Sequence, residues 1–183
     1  MRIVGRFLGI LLLIAILAGF FVEVVAPRMS WSAAAEPGPA EEWLADRIIG
    51  GWITRNASTE KNPVAESVQN LKDGQADYKE HCAGCHGLDG NGRNRLGADF
   101  YPPIPKLTED AQQMSDGEIY FIIAKGIRYS AMPAFEAHHK PDEIWRMVLW
   151  ARHLGHLSPE EKTAIQAEMR AREERHKAAA GEH

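Results

Sequence analysis

The sequence predicts an all-α protein: one bilayer-length helix at the N-terminus, then a small helical domain. Three observations lead there. Residues 7–22 form an uncharged apolar run near the N-terminus. Further on, apolar residues recur at helical spacing behind recognisable caps. No stretch alternates apolar and polar residues as a half-buried strand would.

The chain has 183 residues and a formal net charge of −4. That mild acidity, without a basic run, argues against a nucleic-acid partner. The sequence divides into residues 1–26, an apolar segment; 27–66, a linker with a short amphipathic helix; 67–157, a globular domain; and 158–183, a charged helix and tail. Arg2 and Arg6 precede the apolar run, and Val24, Val25 and Ala26 extend it past Glu23 to about the length that crosses a bilayer. Arginines ahead of the run place the N-terminus in the cytoplasm and the rest of the chain outside it. The segment reads as an anchor or as a cleaved signal peptide. Ala33-Ala34-Ala35 resembles a cleavage site, but it lies far beyond the run, with Arg28 between. Both readings put the domain on the outer face of the cytoplasmic membrane, and the position of the cleavage site favours a single-pass anchor.

Pro27, Pro37 and Pro39 mark a linker. Trp43, Leu44, Ile48 and Ile49 then recur at helical spacing over 41–54, and Gly50-Gly51 is expected to end that helix. It would lie on the membrane surface or pack on its own domain. Residues 56–63 read as a second linker. Val68, Leu71, Gln75, Tyr78 and Cys82 fall near one face of the next helix. Gly87, Gly90, Gly92 and Gly97 mark a loop that Pro102, Pro103 and Pro105 continue as extended chain. Ser115 and Glu118 form a capping box for a helix that Gly126 closes. Pro141 opens another as its first residue, with Asp142 and Glu143 suited to the helix dipole. Ile144, Met147, Val148, Ala151 and Leu154 line its inner face. Ser158 and Glu161 cap a last helix, with Ile165 and Met169 almost its only large apolar residues.

The only cysteines are Cys82 and Cys85, and His86 comes directly after them. In Cys-x-x-Cys-His, each thiol can add across one haem vinyl group, and the histidine is then held beneath the iron as an axial ligand. The same cysteine pair is half of a zinc site or a redox dithiol. Zinc would need two further ligands at a matching spacing; His138 and His139 are candidates, but no second cysteine pair exists. A thioredoxin-like site would need a strand and a βαβ pattern. One covalent haem c is the cofactor expected.

The sixth ligand expected is Met132. It sits in a loop between two helices, after small Ser130-Ala131 and before Pro133, which stiffens the loop. A thioether is a soft, neutral ligand that raises the potential. Met114 and Met147 read as core filler. His138 and His139 are the rival ligands, and bis-His ligation would lower the potential.

With these residues in place, the segment from about Val68 to Leu157 resembles the class I cytochrome c family, of a mono-haem, membrane-anchored bacterial type. Gly74, Tyr78 and Cys82 stand at four-residue intervals, the haem motif comes next, and Met132-Pro133 precedes the last core helix. The resemblance implies a small domain around one covalent haem. It implies that Gly74 and Tyr78 let the first helix cross the helix bearing Met147 and Trp150 closely. It also implies that a proline carbonyl in Tyr101–Leu107 accepts a hydrogen bond from the His86 ring. Pro103 is favoured over Pro102 and Pro105. Arg128 and Tyr129 are candidates for hydrogen bonds to a haem propionate. The function implied is single-electron transfer, not catalysis, by a protein docked on or built into a membrane respiratory or dehydrogenase complex. The alternative is a haem sensor or peroxidase from which Met132 is displaced.

Overall fold

The computed structural model describes residues 2–29, 32, 35, 38–92, 100 and 103–180. It separates into two units, residues 1–36 and 37–183. In the first, α1 (Arg2–Phe20) continues through one π-turn (Phe21–Val25) into a 3₁₀ turn (Ala26–Arg28). Residues 3–28 are long and apolar enough to cross a membrane, and none of them is buried.

The second unit holds α2 (Pro39–Asn56), α3 (Val68–His81), α4 (Ala83–His86), α5 (Asp110–Gln113), α6 (Asp116–Lys125), α7 (Pro141–His153) and α8 (Pro159–Ala180). No strand occurs among the described residues. Helix α7 is the centre. From Ile144 to Ala151 only Arg146 escapes full burial. One side of it packs with Ala111, Ile119, Ile123 and Ala124 of α5 and α6. Trp150 packs with Tyr78, Ala83, Leu88 and, from α8, Ile165. The caps form as the sequence implies: Ser115 and Glu118 close a reciprocal box on α6, and Ser158 and Glu161 do the same for α8.

Helices α3 and α7 cross at Gly74. A Cβ at this position would overlap the Arg146 carbonyl oxygen and sit 3.4 Å from the Trp150 Cβ. The close neighbour is thus the α7 backbone at Arg146, together with Trp150, and not the Met147 side chain, which packs in the α5–α6 core.

Two expectations for the segment before α3 fail. Gly50-Gly51 does not end α2, which runs on to Asn56. The cost of glycine in a helix, about 1 kcal/mol each, is offset by what the extra turns bury. Ile53 is in the core, Trp52 packs on Phe121 at 4.7 Å, and Thr54 donates to Glu118. Nor are residues 56–63 a free linker. The Ser58 carbonyl fills the space where Gly117 has no side chain. Asn62 donates from its backbone to Asp116 Oδ2 at 3.0 Å and from Nδ2 to the Trp145 carbonyl at 2.8 Å. Asp116 in turn accepts from Arg152 Nε at 2.8 Å, and Arg152 also donates to the Ala111 and Met114 carbonyls. Helix α2 and the chain after it are therefore part of the domain.

Candidate haem site

Helix α4 is a single turn, and it gathers Cys82, Cys85 and His86. The Cys82 carbonyl accepts from the backbone N–H of Cys85 at 3.0 Å and of His86 at 2.9 Å. Gly87 ends the turn at φ 78°, a left-handed conformation that favours glycine. Tyr78, almost wholly buried on α3, donates its hydroxyl to the Gly87 carbonyl at 2.6 Å. That bond pins the motif to the α3–α7 crossing. The sequence marked Tyr78 as an apolar position, and the resemblance placed it at the helix crossing; the hydroxyl's partner was not foreseen, although a buried phenol needs one.

The loop after the motif folds back over it. Leu107 donates its N–H to the Gly90 carbonyl at 2.7 Å, and Gly92 donates to the His86 carbonyl at 2.8 Å. A Cβ on Gly92 would come within 2.8 Å of the Ile104 carbonyl oxygen. These contacts fix the register of the proline-rich segment. They bring the Pro105 carbonyl to 3.3 Å from His86 Nδ1. The expected partner, Pro103, does not take this role, because the register fixed at Leu107 and Gly92 presents the Pro105 carbonyl instead. Tyr101, Pro102 and Gly97 lie outside the described residues, as do Ala33, Ala34 and Pro37.

A carbonyl can only accept, so Nδ1 carries the proton and the His86 Nε2 lone pair stays available. Burial lowers the His86 pKa and the Pro105 bond opposes it; the net shift is downward and favours the neutral, coordinating imidazole. Cys82 and Cys85 are both thiols. Burial pushes the Cys82 thiol up to about 12, with Asp77 and Cys85 adding to the effect.

Met132 is half-buried and packs against the α6–α7 core, as do Met114 and Phe135. Its loop is tied to α6 by backbone bonds: Ile127 N–H to the Met132 carbonyl at 3.0 Å, Phe135 N–H to Ile123 at 3.1 Å, and Glu136 N–H to Ala124 at 3.2 Å. Ser130 Oγ accepts from the Met132 N–H at 3.1 Å. Gly126 turns the chain into this loop at φ 65°, where a Cβ would meet the Met132 carbonyl oxygen at 2.8 Å. Arg128 and Tyr129 stand at the tip, exposed, with Tyr129 held at φ 63°. Of the rival ligands, His138 is exposed, and His139 lies edge-on to His81 at 4.8 Å with Nδ1 3.7 Å from Glu143.

Residues 69–150 match the family model described as "Cytochrome C oxidase, cbb3-type, subunit III". This segment is a class I c-type cytochrome domain. Among solved structures, the chain is similar to cytochrome CL from the marine methylotrophic bacterium Methylophaga aminisulfidivorans. The two are 22% identical with a TM-score of 0.41, over 73% of this chain and 83% of that one. A search of curated proteins returns no match. The cofactor of such a domain is covalent haem c with its iron. The residues present fit it: two thiols and an imidazole on one turn, with the imidazole tautomer set by Pro105. When bound, the haem iron supplies a one-electron couple, and electron transfer is the function of a c-type cytochrome domain.

Proposed function

We propose that this cytochrome passes single electrons through a His86/Met132-ligated haem held by thioethers from Cys82 and Cys85. Residues 3–28 would anchor it to the cytoplasmic membrane, with the haem domain on the outer face. The observation that carries this reading is the His86 ring held by Pro105 within the Cys-x-x-Cys-His turn. Orienting the imidazole through a backbone acceptor raises its basicity and fixes the ring plane. Met132 would be the second ligand; a loop clamped to α6, with the Met132 backbone bonded to Ser130, supports this reading by fixing where its side chain starts. Arg128 and Tyr129, in the same loop, are the residues for a propionate. Held by both His86 and Met132, the haem iron would leave no place for a substrate, so the protein would carry electrons and not catalyse. The match to a family described as an oxidase subunit supports a membrane respiratory complex as the partner. Redox contacts of this type are small and short-lived.

Three measurements test this. One haem should stay with the polypeptide after acid-acetone extraction, and Cys82→Ser with Cys85→Ser should release it; extraction of all haem from the wild type would sink covalent attachment. The reduced protein should be low-spin and react poorly with carbon monoxide. Ready binding would favour the sensor or peroxidase instead. For the anchor, cell fractionation with intact-mass measurement should find the full chain in the membrane. A soluble product starting near residue 36 would show that the apolar segment is a signal peptide.

A further inference from the structure

Helix α2 is two things along its length. Its C-terminal half is fixed to the haem domain through Ile53, Trp52 on Phe121 and Thr54 on Glu118. Its first turns leave the domain: residues 38–44 are all exposed. Trp43, Leu44 and Ile48 are 65%, 51% and 60% exposed, large values for such side chains on a helix. Leu44 and Ile48 are four apart, as are Trp43 and Arg47, so the four share one side of the helix. Arg55 extends that side, and Asp46 falls opposite. Glu41 and Glu42 occupy the first turn, where they suit the helix dipole.

We propose that this projecting end of α2 rests on a lipid surface and gives the haem domain a second membrane contact; this rests on the anchor reading above. Two arguments select lipid as the occupant. The first is reach. Ten residues, 29–38, separate the apolar span from α2, so at about 3.5 Å per residue α2 starts within roughly 35 Å of the end of the span. The second is chemistry and size. An indole with an apolar body and a polar edge, flanked by aliphatic side chains and arginines, suits the headgroup region. About three helical turns, roughly 10 Å wide and 15 Å long, present far less than the roughly 800 Å² per partner of a stable protein interface. A weak lipid contact suffices, because the anchor keeps its local concentration high.

The test uses the full-length holoprotein in vesicles of phosphatidylcholine and phosphatidylglycerol carrying a photoactivatable headgroup probe. Labelled peptides are mapped by mass spectrometry. Label is expected on residues 40–48 as well as on 3–28. The triple variant W43S/L44S/I48S should lose at least nine-tenths of the label on 40–48, keep that on 3–28 and keep its haem spectrum. Label confined to 3–28 in the wild type overturns the contact but leaves the anchor standing. An intact mass lacking residues 1–28 overturns the anchor, and label on 40–48 then decides the surface contact separately. Protection of 40–48 from hydrogen exchange in native membranes, with no lipid label there, would mean a protein covers this end and would overturn the proposal.

Discussion

Replacing Met132 with alanine should lower the midpoint potential and open the iron. Loss of a thioether removes the ligand that favours Fe(II). Axial ligation spans roughly 0.8 V across haem proteins, so a fall of about 0.1–0.2 V is the expected scale. The variant should show high-spin character and bind carbon monoxide readily. Met114→Ala is the comparison. It also trims a methionine packed on the α6–α7 core, so it should cost stability and leave the potential alone. Redox titration with optical spectra checks both. An unchanged spectrum and potential in Met132→Ala would remove Met132 from the iron and return attention to His139.

The second large effect is expected at Gly74. A leucine there cannot be absorbed by a rotamer change, because the obstacle is the α7 main chain at Arg146. Overpacking against side chains costs about 1–3 kcal/mol, sometimes more. Here α3 and α7 must separate, so the upper end of that range is the expectation. The unit spans residues 37–183; at about 2–4 °C per kcal/mol for a body of that size, the melting temperature should fall by roughly 6–12 °C. Gly51→Ala is the control, since nothing lies within 4 Å of a Cβ there. Thermal melts of the holoproteins by circular dichroism give the readout. Wild-type melting in Gly74→Leu would contradict the crossing.

What could be read from the sequence was local. The Cys82–His86 turn, the boxes at Ser115 and Ser158, and Pro141 at the start of α7 each depend on residues within one helical turn. The crossing at Gly74 was implied by the family resemblance and not by spacing alone; of the two partners it implied, Trp150 lies beside Gly74, while the Arg146 backbone stands where Met147 was expected. What could not be read depends on distant partners. Pro105 faces His86, and not Pro103, because Leu107 bonds to Gly90 and Gly92 presses on Ile104, and no spacing rule encodes that register. The glycine pair in α2 looked like a terminus. It is carried through by Trp52, Ile53 and Thr54 meeting α6, a tertiary gain that overrides propensity. Asn62 sits among polar and proline residues typical of a linker, and only the fold shows its bond to Trp145.

The fit of Ser58 into the gap at Gly117 bears on how such a protein can be recombined. The segment recognisable as a cytochrome begins at residue 69, but the piece that folds as one body begins some thirty residues earlier. A gene fragment starting at 67 would carry Gly117 with nothing to fill it, a Trp145 carbonyl without its amide donor and Phe121 without its indole. A haem domain grafted here from a relative would meet Ser58 with whatever side chain it bears at that position of α6. The unit that can be exchanged intact, in evolution or at the bench, therefore runs from α2 onward, and its boundary with the N-terminal unit falls between residues 36 and 37.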